Sequence, residues 1–235
     1  MGNEYFKFKK FTIKQDKCAM KVGTDGVLLG AWTNAGESTN IADIGTGTGL
    51  ISIMLAQKCN AVITGIEVDE DACIQALENM KASPWKDRLN VIKADITDYY
   101  SYHKSEYDLI VSNPPFYKEK TKGYSEKRNM ARHTDGLDFN TLTMAASFML
   151  KEKGRFCVIL PYISANEFIG NAASCKLYLK SRTDVITKPG ATPKRVLLEF
   201  RKGQFNVETE ISELLLSENG EKSEAYKALT SDFYL

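Results

Sequence analysis

The chain contains no apolar run of the ~18 to 20 residues that a bilayer-spanning helix needs. Its first ten residues, MGNEYFKFKK, mix aromatic with basic side chains and lack the apolar centre of a secretory signal. The expected location is therefore the cytoplasm, with no membrane contact. Histidine is scarce: His103 and His133 are the only two, and neither lies in a ligand-spaced cluster with cysteine. The five cysteines, Cys18, Cys59, Cys73, Cys157 and Cys175, are odd in number and irregularly spaced, and no Cys-x-x-Cys pair occurs. That argues against a zinc site or a disulfide framework, and predicts reduced, mostly buried thiols and no metal. Repeats and low-complexity tracts are absent too, which removes solenoids and disordered tails from consideration.

Strong net charge is also missing. The total is +1, which by itself does not point to nucleic acid. Its distribution is uneven. Lysines crowd Lys7 to Lys21, a second basic stretch holds Lys118, Lys120, Lys122, Lys127, Arg128 and Arg132, and a third runs from Lys176 through Lys188, Lys194 and Arg195. Acid collects at Glu67 to Asp71 and in the tail from Glu208 to Glu224. Any one basic run reads equally as solvated surface; three that flank one candidate site suggest a basic patch.

The 235 residues, 43% hydrophobic and 26% charged, suffice for one α/β domain with a substantial core. Residues 5–14 alternate apolar with basic side chains, a strand period. Residues 24–34 read as a short helix opened by Thr24 and Asp25. Strands and helices then alternate. Strands are expected at 41–44, 61–67, 89–94, 107–112, 155–160, 182–187 and 195–201, and helices at 49–58, 70–81, 139–151 and 165–174. The last two strands pair around Pro189-Gly190. This order predicts a seven-stranded, mostly parallel sheet with helices on both faces and one antiparallel strand. Organisation is expected as an N-terminal extension, 1–34, packed on a single domain, 35–235. Residues 117–138 are polar, basic and without period, as functional loops are.

Four motifs fall at the carboxyl ends of successive strands. The first is Asp43-Ile44-Gly45-Thr46-Gly47-Thr48-Gly49. Glycines let a strand-to-helix turn approach a ligand closely and leave helix N–H groups free. The spacing Gly-x-Gly-x-Gly with a preceding acid differs from the Gly-x-Gly-x-x-Gly that receives a pyrophosphate. An acid beside the turn suits a cation, and S-adenosylmethionine carries an ammonium and a sulfonium. Glu67, roughly 20 residues on, stands where an acid accepts from both ribose hydroxyls. Asp95 can hold an adenine amino group, with Ile96 on the ring; it reads equally as a helix N-cap.

The fourth motif is Asn113-Pro114-Pro115-Phe116. Two prolines remove two N–H donors and fix the backbone, so the rim accepts hydrogen bonds and donates few. Such a rim fits an NH₂ group. The Asn113 side-chain oxygen and the Pro114 carbonyl can take both N–H bonds of a planar amine, turn its lone pair out of conjugation and aim it, while Phe116 stacks on the ring. Catalysis is then positioning plus aimed dipoles, and a stacked base must first be turned out of its stack.

These residues resemble the successive motifs of class I, Rossmann-like methyltransferases acting on planar amino groups. Phe11 to Gln15, Met20 to Gly30, Ala131-Arg132-His133 and the ending Asp232 to Leu235 extend the resemblance to the bacterial tRNA (adenine-N6) methyltransferases, over nearly the whole chain. The resemblance implies S-adenosylmethionine as cofactor, S-adenosylhomocysteine as product, and the adenine 3′ of the anticodon in a valine tRNA as acceptor. No obligatory protein partner is evident in the sequence, and recognition of one tRNA by a single domain calls for a dimer or for reading of the loop alone. The resemblance also implies cofactor contacts from Lys21, Thr24, Asp25, Asp43, Gly45, Thr46, Gly47, Gly49, Glu67, Val68, Asp95, Ile96 and Asn113, and catalytic roles for Asn113, Pro114, Pro115 and Phe116. The tRNA would be met by Lys118, Lys120, Lys122, Lys127, Arg128, Arg132, His133, Lys194 and Arg195. His133 reads equally as a loop-anchoring residue or as the acceptor of the departing proton. Methylation of guanine N2 in ribosomal RNA, or of a protein glutamine, would use the same rim. A nicotinamide dehydrogenase is disfavoured by the glycine spacing, and a non-catalytic RNA-binding protein by the intact Asn-Pro-Pro-Phe.

Overall fold

A computed structural model of the chain describes residues 3–115, 137–203 and 208–235. Its main body is one eight-stranded sheet. The strands in chain order are β3 (Asn40–Ile44), β4 (Val62–Glu67), β5 (Leu89–Lys93), β6 (Tyr107–Ser112), β7 (Leu150–Pro161), β8 (Leu177–Ile186), β9 (Arg195–Lys202) and β10 (Glu210–Leu215). They lie in the order β10-β8-β9-β7-β6-β3-β4-β5, and β9 alone runs antiparallel to its neighbours. The expected seven strands with one reversed are all present, and β10 extends them by pairing in parallel with β8 from Glu210↔Ser181 to Leu215↔Ile186. This strand lies within the acidic tail, where outward glutamates mask a segment whose only buried side chain is Leu214.

Side-chain alternation along the strands divides the core in two. Ile41, Ile63, Leu109, Val111, Cys157, Ile159 and Leu197 face one layer. Ala42, Ile66, Ile110, Phe156, Val158, Leu160 and Phe200 face the other. Both faces of a parallel sheet are covered by its crossover helices, which is why β6 reads as a continuous apolar run. The first layer is covered by α1 (Thr24–Trp32), α2 (Leu50–Lys58) and α3 (Glu70–Ala82). The second is covered by α4 (Ile96–Tyr99), α5 (Phe139–Met149) and α6 (Ala165–Ser174), and α7 (Glu224–Thr230) joins the first. A short hairpin, β11 (Ser217–Glu218) with β12 (Glu221–Lys222), precedes α7. No helix of the described residues is long and apolar enough to cross a membrane.

The N-terminal segment departs from one alternating strand. It folds into a hairpin of β1 (Tyr5–Lys7) and β2 (Thr12–Lys14), because Phe8 turns back through a hydrogen bond to the Phe11 carbonyl. Phe8 and Phe11 stack at 4.6 Å, and Phe8 stacks on Tyr234 at 6.0 Å. The Lys9 amide donates to the Phe233 carbonyl, so the two ends of the chain brace one another. Helix α1 does not open on a Thr24 or Asp25 cap: its N-cap is Gly23, with no side-chain hydrogen bond. Helix α5 gives way at Leu150 to β7, which is longer than expected. Of the five thiols, all free, only Cys18 and Cys157 are buried; the other three are part-exposed, correcting the expectation of mostly buried cysteines.

Candidate cofactor and methyl-acceptor site

The sheet changes direction between β3 and β6. From β3 the chain moves outward to β4 and β5, and then returns to β6 on the other side. Crevices at such switch points, outside the carboxyl strand ends, receive ligands. The register brings the motifs there together: Ile44 pairs with both Ile66 and Ser112, and Glu67 pairs with Lys93. The Ser112 hydroxyl donates to the Ile44 carbonyl at 2.8 Å and ties the two central strand ends.

The glycine turn leaves β3 with Gly45 at φ +72° and Gly47 at φ +54°, backbone that a side chain strains. A Cβ on either would meet no atom within 4 Å, so both open onto free space rather than onto packing. Gly49 then serves as N-cap of α2. Asp43 lies beneath the turn and is completely buried. One carboxylate oxygen accepts from Thr46 Oγ1 at 2.7 Å and Ser52 Oγ at 2.8 Å, whereas Oδ1 has no partner among the described residues. Burial pushes its pKa up to about 6, against the opposing hydrogen bonds. An unpaired buried acceptor is costly and calls for a donor.

Glu67 holds the turn from the side. It accepts from Gly47 N at 2.9 Å on one oxygen, and from the Val68 and Asp69 amides on the other. Val68 then projects outward, 62% exposed, offering an open apolar surface at this corner. Asp95 does cap α4: its Oδ1 accepts from the amide and hydroxyl of Thr97. The cap uses one oxygen and leaves Oδ2 for another donor. Ile96 is nearly buried in the second core layer, so Val68 rather than Ile96 presents the open apolar face.

Asn113 follows β6 directly. Its Oδ1 is buried and has no hydrogen-bond partner among the described residues; Pro114 is buried and Pro115 half-buried. Among the described residues the rim is therefore short of donors, and its acceptor has no partner. Phe116, Lys118, Lys120, Lys122, Lys127, Arg128, Arg132 and His133 lie outside the described residues.

The N-terminal candidates fall near the same edge. Lys21 is exposed, with Nζ 3.5 Å from the Asn3 carbonyl, and Thr24 is exposed at the start of α1. Asp25 is ion-paired with Arg195 at 2.7 Å, which joins α1 to the start of β9. Arg195, expected to meet tRNA phosphate, thus already has a carboxylate partner; Lys194 beside it is exposed.

Three residues that sequence reasoning missed help build the site. Ser52 shares the Asp43 carboxylate with Thr46. Asn79 of α3 donates to the Lys14 and Thr48 carbonyls and accepts from the Lys14 amide, clamping the N-terminal hairpin to the glycine turn. Gly65 in β4 lies against Thr46. Only Gly65 carried a signal, since glycine inside a strand marks a close approach.

The methyltransferase small domain family matches residues 21–160. A tRNA1(Val) (adenine(37)-N6)-methyltransferase of Phocaeicola vulgatus is 48% identical over 100% of this chain and 99% of its own length. Proteins of the same name are 46% identical in Bacteroides thetaiotaomicron and 41% identical in Trichodesmium erythraeum, again over 100% of this chain and 99% of theirs. Among solved structures, a predicted O-methyltransferase of Agrobacterium tumefaciens superposes with a TM-score of 0.71 at 19% identity, covering 89% of this chain and 96% of that one. Geranyl diphosphate methyltransferase, solved with GPP and sinefungin, reaches 0.54 at 14% identity, over 74% and 75% of the two chains. These two likenesses speak to the fold alone. With full-length identity of that order, and a family match over the strands that carry the site, the chain belongs to the methyltransferase small domain family, on the branch of the tRNA1(Val) (adenine(37)-N6)-methyltransferases.

Proposed function

We propose that this chain transfers a methyl group from S-adenosylmethionine to N6 of an adenine in tRNA, at position 37 of a valine tRNA. The observation that carries the reading is the buried Asn113 Oδ1, without a partner among the described residues, at the edge of a proline-walled rim next to the glycine turn. The names of the full-length relatives support the acceptor.

The residues present fit the cofactor. Gly45 and Gly47 leave open space, Glu67 and Asp95 retain acceptor capacity, Val68 offers an apolar face, and Asp43 Oδ1 lacks a donor among the described residues. Glu67 would hold the ribose hydroxyls, Asp95 Oδ2 the adenine amino group, and the turn with Asp43 the methionine end. When bound, S-adenosylmethionine supplies a methyl group on a positively charged sulfur. Residues 1–34 would cover the pocket, with Lys21, Thr24 and Asp25 on the methionine side.

The chain's own part is to prepare the amine. An adenine N6 lone pair is delocalised into the ring. Asn113 Oδ1 and the Pro114 carbonyl accept its two N–H bonds and favour the pyramidal geometry in which that lone pair points outward. Because both acceptors are fixed before the substrate arrives, little reorganisation remains for the reacting complex. No strong base is needed to begin, since the proton leaves after the nitrogen has acquired its fourth bond. The enzyme would work in the cytoplasm, where its tRNA is.

The experiment is transfer of a radiolabelled methyl group to tRNA, followed by nucleoside analysis. N6-methyladenosine is the expected product. N2-methylguanosine, or label in protein alone, would overturn the reading.

A further inference from the structure

The carboxyl edge of the sheet continues past Asn113 onto β7. Ile159 to Pro161 carry β7 beyond the register of Ser112, and Tyr162 and Ile163 follow at the carboxyl edge. Ile163 is 92% exposed and Tyr162 38% exposed. The Arg182 guanidinium lies over the Tyr162 ring, 5.1 Å from its centroid. Asp184 fixes that guanidinium from the side with two contacts, at 2.7 and 3.3 Å. The Tyr162 amide donates to the Lys194 carbonyl, which fixes the start of this turn to the start of β9. Lys188 and Lys194 stand exposed on the same edge, and neither forms an ion pair with the described residues.

The edge thus presents a fixed ring, a planar cation on it and a bare aliphatic side chain. Such groups are what unstacked bases settle on, and free lysines beside them match a phosphate backbone. We propose that Tyr162, Ile163 and the Arg182 guanidinium form a stacking platform for the unpaired nucleotides flanking the target base, with Lys188 and Lys194 taking their phosphates. The proposal rests on the tRNA reading above and adds where the rest of the loop sits. Once the target adenine leaves its stack, its neighbours lose a partner. A platform beside the acceptor rim replaces that partner and offsets part of the cost of flipping.

The test uses the full chain, S-adenosylmethionine and valine tRNA transcript. The double variant Tyr162→Ala, Ile163→Ser should raise KM for tRNA about tenfold or more, with kcat falling much less and cofactor affinity holding within about twofold. Tyr162→Phe, which keeps the ring, should restore KM when Ile163 is left in place. Lys188→Ala with Lys194→Ala should flatten the salt dependence of tRNA binding by nearly two phosphates. An active wild-type enzyme whose double variant keeps its KM for tRNA would overturn the platform and leave the proposed activity standing. A wild-type chain that methylates no tRNA would instead fail the activity itself. Loss of cofactor binding in the double variant would make these residues structural and would equally overturn the platform.

Discussion

Gly65 of β4 and Thr46 of the glycine turn touch so closely that a methyl group on Gly65 would lie 2.7 Å from Thr46 Cγ2. The two belong to one unit, for Gly65 is the cross-strand neighbour of Asp43, and Asp43 accepts the Thr46 hydroxyl. A side chain at 65 would displace Thr46 and with it the turn. Gly65→Ala is therefore expected to cost about 1–3 kcal/mol of stability and to weaken cofactor binding. Urea denaturation and calorimetric titration with S-adenosylmethionine check both. Unchanged cofactor affinity in the Gly65→Ala variant would show that the turn does not depend on this contact.

Asn113 Oδ1 has no protein partner to lose among the described residues. Asn113→Ala should accordingly leave the fold intact while turnover drops by about 10² to 10³. Cofactor affinity should change little. Single-turnover methyl transfer compared with equilibrium binding separates the two effects, and a large loss of cofactor binding would make Asn113 structural.

Asp43 gives a pH signature. Its folded pKa of about 6 lies above the usual 3.8, so the folded chain holds this proton more tightly than the unfolded chain. The linked stability is complete below pH 3.8 and is lost as pH rises through 6. That interval, at about 1.4 kcal/mol per pH unit, amounts to about 3 kcal/mol. Asp43→Asn removes the charge and keeps an acceptor. Urea midpoints measured between pH 4 and pH 6.5 should fall less steeply with rising pH in the variant than in the parent. Equal slopes would show that Asp43 ionises normally. At pH 7.5 the variant should be at least as stable as the parent but bind S-adenosylmethionine more weakly.

Asn79 makes three hydrogen bonds from a site only 2% exposed, two to Lys14 and one to Thr48. Asn79→Ala leaves those backbone groups unpaired, at about 1–3 kcal/mol. It should also free the N-terminal hairpin from the glycine turn. Amide exchange in residues 12–23 is expected to speed up beyond the general change in stability. Exchange that rises evenly over the chain would assign Asn79 to the core at large.

Legibility from sequence tracked how local the cause was. Strand 107–112 and helix 165–174 were expected at the residues where they occur, because an apolar run ending at Asn-Pro and a helical period need no distant partner. The hairpin at residues 5–14 was not, since it turns without glycine, through aromatic contacts to Phe233 and Tyr234 at the far end of the chain. Strand β10 escaped for a similar reason: its pairing is supplied by β8, and its own residues are mostly acidic and exposed. Of the two readings of Asp95 the structure shows the helix cap, which engages one carboxylate oxygen.

The order of residues alone determined the alternation of strand and helix, the glycine turn, and the proline-walled rim, since each follows from backbone freedom or apolar period within a few positions. Tertiary structure alone decided that Asp43 and Asn113 would each keep a buried oxygen without a donor among the described residues, that Arg195 would pair with Asp25, and that Tyr162 would meet Arg182. Burial, and the pairing of charges from distant segments, depend on which strands become neighbours. That is a property of the folded sheet and not of any stretch of the chain.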